Sequence, residues 1–334
     1  MKTAVFSTKP YDAKFLTATN ADAAHELEFF EEKLSIHTAT LVDGHEAICA
    51  FVNDTLSAPI LDILHQHGVR YIALRCAGFN QVDLRHAEAL GIKVAHVPAY
   101  SPYAVAEFAL TLVLALNRRV HRAYNRVRDG NFSIDGLLGF DLNGSTVGLV
   151  GTGKIGRVFA KLLTGFGVKI LGYDLFPNEE FIALGGEYVD RDTLFAQSDI
   201  ISLHCPLTPE THHIINAESI ALMKKGVMII NTSRGALVDA KSVIRGLKSE
   251  HIGYLGLDVY EQEADFFYEN LSEQIIQDDV LQRLLTFPNV LVTSHQAYFT
   301  ETALSNIAQT TLDNLNAFAS GGPIKNEVTS KMIH

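Results

Sequence analysis

This 334-residue chain has few cysteines, no long apolar run and no basic tract, and each absence removes a class of function. The three cysteines, Cys49, Cys76 and Cys205, are odd in number, and none stands in a CxxC pair. That excludes a disulfide framework or a cysteine zinc site and leaves buried, reduced thiols as the expectation. The longest apolar run, FALTLVLAL at 108–116, is bounded by Glu107 and by Asn117-Arg118-Arg119. It is far short of the roughly 20 residues that span a bilayer as a helix, so it reads as a buried helix. The N-terminus, MKTAVFSTKP, carries too short an apolar stretch for a signal peptide, and a cytoplasmic protein is expected. The formal net charge is −11, with no basic tract of five or more residues, so a nucleic-acid partner is not expected. Internal repeats and low-complexity segments are missing as well.

What is present is a soluble globular composition, 47% hydrophobic and 19% charged, at a length that suits two domains. Short β-prone runs lie at 3–7, 47–52, 71–76 and 93–98, with amphipathic stretches such as Ala21–Lys33 and Ala58–His67 between them. That alternation predicts parallel strands with crossover helices. After Pro98 and Pro102 one long helical pattern runs from Tyr103 to Arg128. A second series of strands follows the Asn143-Gly144 turn, at 145–151, 169–174, 199–205, 226–232, 253–259 and 289–294, before a closing helix at Glu301–Ala319.

The second series opens on Gly151-Thr152-Gly153-Lys154-Ile155-Gly156, a GxGxxG pattern. With 24 glycines in the sequence the pattern alone says little, but strand STVGLV precedes it and helical RVFAKLLTGFG follows. The next strand ends at Asp174, 21 residues beyond Gly153. This is the layout of a βαβ unit whose first turn brings bare backbone to a pyrophosphate at a helix N-terminus. Asp174 would accept hydrogen bonds from the adenosine ribose and repel a 2′-phosphate, and Leu175-Phe176-Pro177 brings no Arg or Lys. The expected cofactor is NAD, not NADP, and no metal is implied.

Ligands of an open parallel sheet bind beyond the carboxyl ends of its strands. At those ends stand Thr232-Ser233-Arg234, then Asp258 with Glu261 and Glu263, then Ser294-His295. Singly, each has an ordinary explanation: a surface arginine, a solvated acidic run, a core histidine. Together on one rim they suit reduction of a 2-oxo acid. Histidine supplies the proton for the carbonyl oxygen, arginine forks onto the substrate carboxylate, and an acid behind the imidazole fixes its tautomer. Spacing leaves open whether that acid is Asp258 or Glu263.

GTGKIG, NTSRGALVD (231–239), LDVYEQE (257–263) and TSHQAY, joined by RCAGFNQVDL (75–84), PAYSP (98–102) and HCPLTPET (204–211), resemble the D-specific 2-hydroxyacid dehydrogenase family over essentially the whole sequence. The resemblance implies Arg234 as the substrate arginine, Glu263 as the histidine's partner and His295 as the acid/base. It places Asp258 near the nicotinamide carboxamide, and Cys205, Pro206 and Thr211 along the cofactor. Backbone around Gly78 would meet the substrate carboxylate, with Arg75, Tyr100 and Tyr298 close by. The implied architecture is α/β: a Rossmann-type NAD domain, 100–298, inserted into a smaller flavodoxin-like substrate domain of 1–99 and 299–334. The implied activity is that of a D-lactate dehydrogenase, or of a D-2-hydroxyacid dehydrogenase for branched-chain substrates. It would be fermentative in the first case and work as a homodimer or homotetramer. An NAD-sensing transcriptional corepressor on the same fold is the alternative of another class.

Overall fold

A computed structural model describes residues 1–20 and 25–332. The protein forms two compact units, Met1–Ser101 with Phe299–His334, and Pro102–Tyr298.

The first unit is built on five parallel strands, β1 (Lys2–Val5), β2 (Glu26–Phe29), β3 (Ala47–Ala50), β4 (Tyr71–Leu74) and β5 (Lys93–Ala95). Their order is β2-β1-β3-β4-β5, the flavodoxin-like arrangement. One expectation fails here. The stretch Ala21–Lys33 is no amphipathic helix: its first four residues lie outside the described residues, and Glu26–Phe29 is the edge strand paired with β1. ELEF alternates polar and apolar residues, and Leu27 and Phe29 pack on the core, so period 2 governs. The helix of this region lies earlier, at Pro10–Thr19.

A buried charge lies inside this unit. Arg75 is 1% exposed, and its guanidinium donates to Asp12 Oδ1 at 3.3 Å and to the Ser7 carbonyl at 2.8 Å while lying over the Phe51 ring. Asp54, equally buried, accepts from Ser7 Oγ and from the amides of Leu34 and Phe51. Burial lifts the Asp54 carboxyl above its ordinary range, and Arg75 opposes that rise.

The second unit carries seven parallel strands: β6 (Thr146–Val150), β7 (Lys169–Tyr173), β8 (Gly186–Tyr188), β9 (Ile200–Leu203), β10 (Val227–Asn231), β11 (Ile252–Leu257) and β12 (Val290–Val292). The order β12-β11-β10-β9-β6-β7-β8 reverses direction between β6 and β9, the dinucleotide-binding topology extended by one strand. The run at 108–116 lies in the helix Pro102–Arg118, which buries Ala109, Leu112, Val113 and Leu116 against the sheet. The helix does not continue to Arg128 as one piece. Arg119 turns left-handed at φ +49° and a second helix, Val120–Arg128, starts there. No helix among the described residues is long and apolar enough to cross a membrane. All three cysteines are free and buried, and burial pushes the Cys49 and Cys205 thiols up to about 11 and about 12.

At the end of β9 lies His204. Its ring meets Phe159 with centroids 5.0 Å apart and its Nε2 is 2.9 Å from Ser202 Oγ, and burial depresses it from 6.5 to about 3. It supports the turn above: a Cβ on Gly151 would sit 2.6 Å from the His204 carbonyl carbon.

Two outcomes follow from these buried groups. Arg75→Met leaves Asp12 and Asp54 without their counter-charge and should cost about 3–5 kcal/mol of stability in urea unfolding; an unchanged midpoint would dismiss the network. Between 6.5 and about 3 the unfolded state binds the proton that folded His204 refuses, so this residue makes stability fall as pH drops through that window. His204→Gln should therefore lose less stability than the wild type between pH 7 and pH 5 in thermal unfolding. Parallel pH dependences would show that His204 takes up its proton without strain.

Candidate active site

The site begins where β6 stops. Gly151 takes φ +98°, a conformation open to glycine, and its position leaves no room for a Cβ against the backbone of His204 and Cys205. Gly156 is equally restricted, since a Cβ there would lie 2.2 Å from the Gly151 carbonyl oxygen. Gly153 is the opposite case: nothing lies within 4 Å of its Cβ position, so bare backbone faces open space at the N-terminus of the helix Lys154–Leu163. Lys154 and Ile155 open that helix, Ile155 packing on the core beneath. Two glycines close the turn and the third leaves it approachable, which is what a pyrophosphate requires.

Asp174, just beyond β7, is fastened to the same turn. Its Oδ2 accepts from the Thr152 amide at 2.6 Å and the Thr152 hydroxyl at 3.1 Å, and its Oδ1 accepts from the Phe176 amide at 2.9 Å. The exposed residues that follow, Leu175 and Phe176, bring no cation beside it. Sequence reasoning missed two contributors here, Thr152 and Tyr188, whose hydroxyls lie 2.7 Å apart and brace the acid's loop. Only the folded register of β8 beside β7 brings Tyr188 there.

Across the switch point, the ends of β9 and β10 are tied together by Ser233 Oγ donating to the Cys205 carbonyl at 2.8 Å. Thr211 serves its own loop: its hydroxyl donates to the Pro206 carbonyl at 2.7 Å and accepts from the Thr208 amide at 2.8 Å. Thr232 is different. Its hydroxyl is buried with no hydrogen-bond partner among the described residues, an unmet polar atom at the carboxyl edge of the sheet. The open Gly153 backbone, the acid at the end of β7 and this unmet hydroxyl together fit an adenine dinucleotide.

Arg234 leaves β10 on a scaffold that the sequence did not reveal. Fully buried Asn231 donates to the Arg234 carbonyl at 2.8 Å and accepts from the Ser233 amide at 3.0 Å. The partly buried Arg234 places Nη1 2.8 Å from the Ser233 carbonyl. Gly235 then lets the next segment press close, because a Cβ there would stand 2.1 Å from the Tyr260 carbonyl carbon. Arg234 and the 258–263 segment thus form one packed rim.

On that rim the two acids divide the work. Asp258, 0% exposed, accepts with Oδ1 from Thr293 Oγ1 at 2.6 Å and the Gln296 amide at 2.9 Å, and with Oδ2 from the Ala297 amide at 2.8 Å. Its carbonyl accepts from the His295 amide at 2.7 Å. Burial still raises its carboxyl above the ordinary range, against the pull of these donors. Glu263 faces the ring: Oε1 lies 2.6 Å from His295 Nδ1, while Oε2 accepts from the Tyr260 amide at 2.9 Å. His295 itself takes φ +54°, turning its side chain off the strand line. Tyr268, unforeseen from sequence, donates to the His295 carbonyl at 3.2 Å, and the Tyr298 ring meets the imidazole edge-on at 6.4 Å.

Arg75, Gly78 and Tyr100 belong to the first unit. The Arg75 guanidinium is held inside that unit by Asp12 through Nε and by the Ser7 carbonyl through Nη2, while its Nη1 is buried with no hydrogen-bond partner among the described residues. The Gly78 carbonyl accepts from Cys76 Sγ at 3.2 Å, and the Tyr100 carbonyl accepts from Asn306 at 2.6 Å.

Residues 110–297 match the family model described as D-isomer specific 2-hydroxyacid dehydrogenase, NAD binding domain. D-lactate dehydrogenase of Escherichia coli (strain K12) is 54% identical over 328 residues, covering 98% of this sequence and 100% of that one. The apo-structure of D-lactate dehydrogenase from Escherichia coli superposes with a TM-score of 0.90 at 52% identity, over 98% of this protein and 100% of that one. D-lactate dehydrogenase with NAD+ from Lactobacillus jensenii does so at 0.82 and 33%, over 98% and 100%. The glycine turn, Asp174 and the family model all fall on the same unit. This chain thus belongs to the D-isomer specific 2-hydroxyacid dehydrogenases, its residues 110–297 matching the NAD-binding domain of that family.

Proposed function

We propose that this protein is an NAD-dependent D-lactate dehydrogenase that reduces pyruvate to D-lactate and runs the reverse reaction. The observation that carries the reading is the 2.6 Å contact between His295 Nδ1 and Glu263 Oε1 at the sheet edge that also holds the glycine turn. Full-length relatives that bear the name D-lactate dehydrogenase support the choice of substrate.

When bound, NADH supplies the hydride for the substrate's carbonyl carbon. The residues that would hold it are Gly151, Gly153, Lys154, Ile155 and Gly156 at the pyrophosphate and Asp174 at the ribose. Cys205, Pro206, Thr211, Thr232, Ser233 and Asp258 would line the rest of its path. Glu263, as acceptor, keeps the Nδ1 proton in place and thereby directs Nε2 to the substrate. His295 protonated on both nitrogens then gives the Nε2 proton to the carbonyl oxygen, so the carbonyl gains one hydride and one proton and becomes a hydroxyl. Neutral His295 takes that proton back in the oxidative direction. Arg234 pairs its planar fork with the substrate carboxylate. Tyr298, 7% exposed and edge-on to the imidazole, crowds the space beside the reacting carbon and favours a methyl group there.

The reading also makes the protein a cytoplasmic homo-oligomer. Exposed Tyr124, Val127, Phe132, Ile134 and Leu138, clustered within fifteen residues of sequence, suit a subunit contact more than a free surface.

The substrate test is NADH oxidation with pyruvate and, in parallel, with 4-methyl-2-oxopentanoate, followed by chiral analysis of the product. Turnover of pyruvate at the higher kcat/KM, giving D-lactate, is expected. Preference for the bulkier acid would move the assignment to a 2-hydroxyacid dehydrogenase for branched-chain substrates. No turnover of any 2-oxo acid with NADH still bound would favour an NAD sensor. Glu263→Gln keeps the shape of the pair but frees the imidazole to take the wrong tautomer. Its kcat should fall on the order of 10²–10⁴-fold with NADH affinity little changed. A kcat within about threefold of wild type would remove Glu263 from the proposed mechanism.

A further inference from the structure

Beside the rim, three metal-ligating side chains converge that the dehydrogenase reading does not use. His212 and His213 are consecutive, and their rings stack with centroids 3.9 Å apart and planes 30° apart. Both aim Nε2 at one carboxylate: His213 Nε2 lies 3.2 Å from Glu261 Oε2 and His212 Nε2 lies 3.8 Å from Glu261 Oε1. One ligand atom from each residue lies within 4.8 Å of the other two.

The fold fixes this convergence. His213 stands at φ +50° with its amide donating to the Ala236 carbonyl at 2.8 Å, which turns its ring off the line of the backbone. Missing a Cβ, Gly235 allows the Tyr260–Glu261 backbone to approach, and so brings Glu261 under the two rings. As a purely electrostatic device the arrangement is poor, because two stacked imidazolium rings repel each other beside a single carboxylate. Two imidazoles and one carboxylate are, by contrast, the donor set of a borderline divalent cation that keeps a water in its fourth position. Ligand atoms around such a tetrahedral ion stand about 3.3 Å apart, so the widest pair here needs to close by roughly 1.5 Å, within the reach of side-chain rotation. The side chains are 51%, 32% and 30% exposed, open to an entering ion.

We propose that His212, His213 and Glu261 bind one divalent transition cation of the zinc class. The ion joins the loop after β9 to the segment after β11, so it clips the Cys205–Thr211 stretch to the segment that ends in Glu263. It takes no part in the proton or hydride chemistry, and its visible effect is a more stable second unit.

The test uses full-length, tag-free protein stripped with a chelator and titrated with Zn²⁺ alone by calorimetry, alongside thermal unfolding with and without the ion. One Zn²⁺ per protein molecule and a raised melting temperature are expected. His212→Asn and Glu261→Gln should each weaken binding at least about tenfold and remove the rise in melting temperature. His212→Asn should do so while keeping normal NADH oxidation without metal. His295→Gln, which removes the imidazole paired with Glu263, should bind Zn²⁺ as the wild type does. Absence of binding at micromolar Zn²⁺, equal affinity in His212→Asn, or loss of binding in His295→Gln would each overturn the site.

Discussion

The carboxylate of Asp258 is the fixed point of the reactive edge. It is wholly enclosed, its ionised form is disfavoured by that burial, and three donors between Thr293 and Ala297 converge on it. A buried acid so placed gives the backbone beyond β12 a single path, because each of those donors would otherwise lose water without replacement. The left-handed turn at His295 follows from that path, and the imidazole's meeting with Glu263 follows from the turn. Two acids five residues apart therefore serve different ends: one shapes the backbone and the other orients the ring.

Much of this was readable in the residues because a parallel sheet sends its reactive groups to one edge. Glycine spacing after a strand, an acid at the next strand's end, and Arg234, Asp258 and His295 after three further strands needed no coordinates. Ten of the twelve strands among the described residues also stand where short β-prone runs predict them; β2 and the three-residue β8 do not. The ELEF edge strand was masked by helix-compatible neighbours, and the break at Arg119 by a helical pattern that runs on through it. Sequence left two candidates for the acid behind His295, and the 2.6 Å contact belongs to Glu263. The supporting residues Thr152, Tyr188, Asn231 and Tyr268 were hidden for one reason. Their types are ordinary, and only register and positive φ turn them toward the site.

Arg75 shows the converse, a residue that the family resemblance sets close to the substrate and whose packing lies in the interior of the first unit. Its guanidinium lies over Phe51 and pairs with Asp12. The charge serves the interior of the first unit, where it offsets carboxylates that burial would otherwise leave unbalanced.

The tie lines of the reactive edge span long stretches of sequence: 22 residues from Thr152 to Asp174, 28 from Cys205 to Ser233, 32 from Glu263 to His295 and 39 from Asp258 to Ala297. Each joins the ends of separate parallel strands, which cannot pair until the crossover between them is in place. Contacts of such sequence separation are slow to form because loop entropy must be overcome first. During refolding, helical signal thus precedes catalytic competence, and recovered turnover reports the last strand ends to be joined.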